Sequence, residues 1–217
     1  MSRHEGVDRK ASDLPSAAPT AVAELLDAER VMDSAIRPLW APMPTVIGPA
    51  HVVRCAPGDN LALHAAIYRA APGSVLVVDS GGEAPAVAGG NVCAVAQRRG
   101  SAGLVVDGNV RDLGEIRAMG YPVLARGVFP KPGIKRDPGS QGQAVVGGVL
   151  VHDGDVIVAD EEGVLVVPAE RVAEVLAAAA AKEAREAEQG LDAWEANHRA
   201  KVTAALEAAG DTTGLPD

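Results

Sequence analysis

The sequence predicts an α/β protein, with one domain over residues 20–168. A flexible polar arm (1–19) precedes it and a long helical segment (169–217) follows. Three observations carry this. The apolar runs Ser74–Asp79 and Gly103–Val106 show no polar alternation, as strands buried on both faces do, and helical stretches separate them. Glycine, proline and aspartate pairs punctuate the junctions. From Pro168 the pattern turns to alanine-rich helix. At 217 residues the chain accommodates one sizeable domain and a tail rather than two domains.

Composition narrows the function. Apolar residues make up 47% of the chain but aromatics only 2%, so the core must be packed with Val, Ala and Leu. A net charge of -9 and five aromatic residues argue against a nucleic-acid partner, which calls for basic patches and stacking rings. No apolar run approaches the roughly 20 residues that span a bilayer, so no membrane association is expected. The N-terminal residues lack the apolar region of a secretion signal, and the expectation is a soluble, cytoplasmic protein. Cys55 and Cys93 have no metal-ligand spacing and sit among apolar neighbours, as buried free thiols do.

Each element follows in order. Residues 1–19 are rich in Pro, Ser and Ala and read as the arm. Thr20 is a candidate cap for a helix reaching Arg30, with Val22, Leu25 and Leu26 on one face. Four prolines, Pro38, Pro42, Pro44 and Pro49, exclude helix until a strand at Ala50–Arg54. Pro57-Gly58-Asp59-Asn60 is a turn and cap that opens a helix to about Ala71, and Pro72-Gly73 ends it before the strand to Asp79. Gly89-Gly90 introduce a helix through Arg99. Glycines before a helix leave N–H groups bare for an anion, although tight turns use the same residues. Neither this pair nor Gly81-Gly82, in the loop after the strand, fits a nucleotide-binding fingerprint.

The strand Gly103–Val106 is expected to break at an Asp107-Gly108 turn, with Arg111 and Asp112 side by side before a helix carrying Leu113, Ile116 and Met119. Guanidinium forks match carboxylates and carboxylates bind Mg²⁺, so this pair suits a small anion beside a hard cation. The competing reading is structural, with Asp112 capping the helix and Arg111 covering the surface. After a strand at Pro122–Arg126, residues 127–142 form a long loop whose Lys131, Lys135 and Arg136 either attract an anionic substrate or form a solvated face. Short strands at Ala144–Val146, Val149–Val151, Val156–Val158 and Val164–Val167 are divided by hairpin signals. The last helix is interrupted at Gly190 and continues from Leu191 to Ala209. The five histidines are scattered, none reads as a metal ligand, and His64 reads as packed or half-exposed. No nucleophile elbow is present.

Several of these segments together resemble the RraA-like proteins. They are Pro57-Gly58-Asp59-Asn60-Leu-Ala-Leu-His64, the strand ending Asp79-Ser-Gly-Gly82, Asp107-Gly-x-x-Arg111-Asp112, Pro132-Gly-Ile-Lys135 and Gly154-Asp155 through Gly163. The likeness runs from about Ala21 to Glu186. It implies the swivelling β/β/α fold, assembled as a homotrimer or a dimer of trimers. The long-chain branch contains divalent-metal-dependent pyruvate aldolases acting on 4-hydroxy-4-methyl-2-oxoglutarate and 4-carboxy-4-hydroxy-2-oxoadipate, with oxaloacetate decarboxylation as a companion activity. A small 2-oxo acid is the implied substrate.

By this resemblance Asp112 anchors Mg²⁺ or Mn²⁺, largely through water. Arg111 pairs with the carbonyl and carboxylate of pyruvate, and the backbone amides of Gly90, Asn91, Val92 and Cys93 hold its carboxylate. Glu186, or otherwise Glu183, reaches the site of an adjacent subunit. The chain departs from the branch at Gly90, where an acidic residue is expected, and at Asn91, where an apolar one is. The short branch of the family inhibits an RNase by protein contact. A non-catalytic regulator, or a lyase with a different substrate, is therefore the alternative.

Overall fold

The computed structural model describes residues 14–82, 84–211, 213 and 215. In chain order the elements are α1 (Pro19–Ala23), β1 (Arg37–Pro38), β2 (Val46–Arg54), α2 (Leu61–Arg69), β3 (Val75–Asp79), α3 (Gly90–Arg98), β4 (Gly103–Val110) and α4 (Leu113–Met119). They continue with β5 (Val123–Val128), β6 (Ser140–Gln141), β7 (Gln143–Val146), β8 (Val149–His152), β9 (Val156–Asp160), β10 (Gly163–Val167) and α5 (Val172–Ala208).

The main sheet runs β1-β5-β4-β3-β2-β9-β10, with β6 on the side of β2. Strands β2 to β5 are parallel, joined through α2, α3 and α4. Strand β2 serves two partners. Val46 to Pro49 pair antiparallel with β9, while Ala50 to Arg54 pair parallel with β3. Pro49 cannot donate, and Ala50 N–H supplies the next bond, to the Asp155 carbonyl at 2.7 Å. The β7–β8 hairpin forms a separate small sheet.

Alternation along the parallel strands builds two cores. Leu76 and Val78 of β3, with Leu104 and Val106 of β4, face the helices and pack with Leu63, Ile67, Ala96 and Ile116. Val75, Val77 and Val105 point the other way, toward Ile36, Val146, Val151 and Ile157. A third cluster joins Val22 to Val158 and Leu165 and to Val172, Val175 and Leu176 of α5. Each buried valine or leucine contributes about 1.5–3 kcal/mol, so this repetition stands in for the missing aromatics.

The structure corrects several boundaries. Residues 1–13 of the expected arm lie outside the described residues, whereas Ala17 and Pro19 are buried. The expected helix from Thr20 to Arg30 is only the five-residue α1, followed by a turn of 3₁₀ helix at Ala28–Arg30. Thr20 lies inside α1, whose N-cap is Ala18. No turn forms at Asp107-Gly108, because β4 continues to Val110 past a register shift between Val106 and Asn109. Gly108 (φ 153°) makes that bulge possible, since a Cβ there would fall on the Ser80 hydroxyl. Helix α5 begins at Val172, after a turn closed by Arg171 N–H on the Pro168 carbonyl. The expected interruption at Gly190 is present (φ 67°, ψ 162°), and the helix resumes beyond it. Both cysteines are buried and free.

Candidate active site

Arg111 and Asp112 leave the end of β4 and enter a narrow cleft. One wall is the segment before α3, where Arg111 N–H bonds the Ala88 carbonyl at 2.9 Å and Val87 N–H bonds the Asn109 carbonyl at 3.0 Å. The opposite wall combines the start of α2 with the loop after β5. Asn60 N–H donates to the Ile134 carbonyl at 2.8 Å, and Ile134 N–H to the Gly58 carbonyl at 3.0 Å. Gly133 N–H ties this loop back to the Ala86 carbonyl at 3.0 Å. The backbone thus fixes the separation of the walls.

Asp112 occupies the N-cap position of α4 but does not cap it with its side chain. Its backbone is left-handed (φ 60°, ψ 40°), a conformation that aspartate tolerates better than most residues. This turns the carboxylate onto α3, where Oδ2 accepts the Gly90 N–H at 3.1 Å. The Arg111 Nε lies 3.5 Å from the same oxygen. A Cβ on Gly89 would stand 2.5 Å from that oxygen and 2.9 Å from Arg111 Cγ, so only glycine admits this approach. The capping alternative is therefore not what the structure contains.

Of the four amides expected to face an anion, two are already engaged. Gly90 donates to Asp112, and Cys93 N–H donates to the Gly89 carbonyl at 3.0 Å. Asn91 and Val92 line the cleft, whereas Gly90 and Cys93 are buried behind it. Burial, reinforced by the Asp112 charge, pushes the Cys93 thiol up to about 12, which leaves it inert at neutral pH.

The structure brings three further residues here, of which only Lys135 was a candidate from the sequence, as one of the basic residues that could attract an anionic substrate. Asn60, His64 and Lys135 line the cleft opposite Arg111 and Asp112. Their signal was present in the Pro57–His64 and Pro132–Lys135 segments, but residues so far apart in the chain meet only through the fold. Burial, and then the nearby Lys135 charge, lower the His64 pKa below its usual value, so its imidazole is neutral at pH 7. The Asn60 Oδ1 is buried without a hydrogen-bond partner among the described residues.

Glu186 and Glu183 stand apart from this cleft. Glu186 pairs with Lys182 at 2.8 Å along α5, and the Glu183 carboxylate accepts the Ala18 N–H at 2.5 Å, holding α1 to α5.

Among the described residues no three His, Cys, Asp or Glu side chains converge on one point. The one carboxylate lining the cleft is that of Asp112, which is solvent-accessible, with no protein partner for Oδ1 among the described residues. This arrangement fits a cation such as Mg²⁺ or Mn²⁺, which binds one or two carboxylates and keeps its waters; it does not fit a zinc cage. No helix among the described residues is long and apolar enough to cross a membrane.

Fold and site together define an α/β domain whose parallel strands deliver a guanidinium and a carboxylate to a cleft beside a helix start. The chain belongs to the RraA-like family: the family model described as Aldolase/RraA matches residues 19–166. A relative from Halalkalibacterium halodurans, named "Putative 4-hydroxy-4-methyl-2-oxoglutarate aldolase", is 38% identical over 167 residues, covering 76% of this chain and 79% of its own. One of the same name from Albidiferax ferrireducens is 41% identical, over 54% of this chain and 73% of its own. Among solved structures, Streptomyces coelicolor RraAS2, described as an unusual member of the RNase ES inhibitor RraA protein family, superposes with a TM-score of 0.69. It is 32% identical, over 79% of this chain and 89% of its own. The RNA-processing inhibitor RraA from Thermus thermophilis gives 0.64 at 30% identity, over 70% of this chain and 93% of its own.

Proposed function

We propose that this protein is a divalent-metal-dependent carbon–carbon lyase that cleaves a small anionic 2-oxo acid through a pyruvate enolate. The reaction is of the 4-hydroxy-4-methyl-2-oxoglutarate aldolase type, with decarboxylation of oxaloacetate through the same enolate. The observation that carries this is the convergence of Arg111 and Asp112 on the Asn91–Val92 helix start within one cleft. The aldolase names of the relatives support it.

A bound Mg²⁺ or Mn²⁺ supplies a Lewis acid that stabilises developing enolate charge. The chain's own residues do the rest. The amides of Asn91 and Val92 hold the substrate carboxylate, as bare N–H groups at a helix start do. Arg111 donates to the 2-oxo group and strengthens its hold as negative charge builds there. Asp112 would hold the cation, and its carboxylate would receive the C4 hydroxyl proton by way of a water and later return it to C3. The C3–C4 bond then breaks, leaving a carbonyl at C4 and the enolate, which regains a proton at C3. Lys135 and neutral His64 stand across the cleft from Arg111 and receive the distal anionic end of the substrate.

The working assembly is a homotrimer or a dimer of trimers in the cytoplasm, with Glu186 of α5 completing a neighbour's site. Pyruvate release from the two aldol substrates and from oxaloacetate, with and without EDTA, tests the reading. Turnover should require metal, and Asp112→Ala should abolish it without altering the sedimentation coefficient. Loss of all turnover in the wild-type protein with Mg²⁺ or Mn²⁺ present would sink it. A second reading, a regulator that binds an RNase, draws on the two inhibitor structures of the same fold. Stable capture of an RNase by a protein that binds no metal would establish that one instead.

A further inference from the structure

We infer that the outer face of α2 and α3 is a docking surface for α5 of a second copy of this chain, with Trp194 as the anchor. This rests on the assembly in the reading above, where α5 of one copy reaches the cleft of another, and it assigns the surface that receives it. His64 of α2 and Asn91 and Val92 of α3 line the cleft, so a helix seated there roofs the site.

The chain has five aromatic residues, yet two of them stand on the surface. Tyr68, near the end of α2, is 60% exposed, and Trp194 of α5 is 49% exposed. Neither ring is loose. The Arg99 guanidinium lies 5.2 Å from the centre of the Tyr68 ring, and its Nη2 donates to the Tyr68 carbonyl at 3.1 Å, tying the end of α3 to α2. Trp194 stacks on His198 one turn along, with ring centres 4.6 Å apart and planes 11° apart. Aromatic and arginine side chains held this way anchor protein interfaces at low entropic cost.

An apolar strip continues from each anchor. Leu61, Ala65 and Tyr68 follow one face of α2, and Val92, Val95 and Arg99 one face of α3; none of them is fully buried. On α5, burial stops at Ala179, and beyond the Gly190 break Leu191 is 75% exposed one turn from Trp194. Within one copy the start of α5 is fixed against α1, β9 and β10, and Leu191 and Trp194 stay exposed, so the occupant comes from another copy.

Charge selects the pairing. Neither α2 nor α3 contains an acidic residue, and Arg69, Arg98 and Arg99 are exposed at their ends. From Glu186 to Asn197, α5 carries Glu186, Glu188, Asp192 and Glu195 and no basic residue. The two strips therefore attract each other, whereas the α2–α3 face set against itself would oppose like charges.

The test is assembly of the full chain with Trp194 as its reporter. On dilution of the wild type, dissociation in sedimentation velocity should coincide with a rise in acrylamide quenching of Trp194. Trp40, held by its Nε1 bond to the Tyr121 carbonyl at 2.9 Å, is a constant background. Asp192→Lys with Glu195→Lys, and separately Arg98→Glu with Arg99→Glu, should each raise the concentration of half-assembly about 100-fold while circular dichroism stays native. All four substitutions together should restore assembly and Trp194 protection, because the charges are exchanged rather than lost. A wild type monomeric at every concentration refutes the docking. So do paired reversals that change neither readout, or a fourfold variant no better than its parents. If the exchange restores assembly but the wild type releases no pyruvate, the surface stands and the lyase reading fails. If metal-dependent turnover holds while the reversals change neither readout, the lyase reading stands alone.

Discussion

Asp112 is the only non-glycine residue with positive φ among the described residues, and its geometry shows why an acid is worth that conformation. A helical or extended backbone would direct the carboxylate along α4, whereas the left-handed one sends it across to α3. His64, on the facing wall, reports the electrostatics of the cleft. Burial is the larger cause of its lowered pKa and the Lys135 charge the smaller. The unfolded chain then binds a proton that the folded one refuses, in the window below 6.5 and above the lowered folded value. Stability from this site is complete above that window and is lost as pH falls through it. Urea unfolding of wild type and His64→Gln, compared between pH 7.5 and 5, should show a shallower decline in the variant. Parallel pH profiles would exclude the assigned surroundings of His64.

Among the elements, the loop after β5 depends most on one side chain outside it. Burial pushes the Asp59 carboxyl up, but backbone N–H groups of Leu61, Asp137, Arg136 and Asn60 outweigh that and hold it below its usual 3.8. Its Oδ1 accepts Leu61 N–H at 2.8 Å, while Oδ2 accepts Arg136 N–H at 2.7 Å and Asp137 N–H at 3.1 Å. One carboxylate therefore starts α2 and staples the segment that presents Lys135. Asp59→Ala should release residues 131–138 to limited proteolysis and lower kcat/KM by about tenfold or more, since misplaced binding groups cost rate steeply. The contribution is present above pH 3.8 and fades as pH falls below it. A variant with native proteolytic resistance and native kinetics would show that the staple is dispensable.

At the scale of the whole molecule, stability rests on strands buried on both faces. Leu76 is fully buried between β3 and the helix layer, and Tyr121 is the one buried aromatic of its otherwise aliphatic cluster among the described residues. Such a core has few large side chains with which to refill a hole, so Leu76→Ala should cost about 2–5 kcal/mol in urea unfolding. A loss under 1 kcal/mol would mean that the helix layer collapses onto the gap more freely than the packing suggests.

The apolar runs around Val77 and Val105, the glycine and proline punctuation and the helix break at Gly190 are local properties. Solvent exclusion and backbone sterics act on neighbouring residues, and the sequence by itself determined these features. The adjacency of Arg111 and Asp112 was equally plain, and the motifs carrying the family resemblance were contiguous.

Tertiary structure alone decided how β2 divides between β3 and β9, and that Asp107-Gly108 make a bulge rather than a turn. Strand partners, not dipeptides, settle those outcomes. It alone brought Asn60, His64 and Lys135 to face Asp112, and set the Glu115 carboxylate in the space beside Gly90. At Gly90 the sequence showed only a missing acid. What stands in that space depends on how closely α3 and α4 pack, a distance that no local pattern encodes.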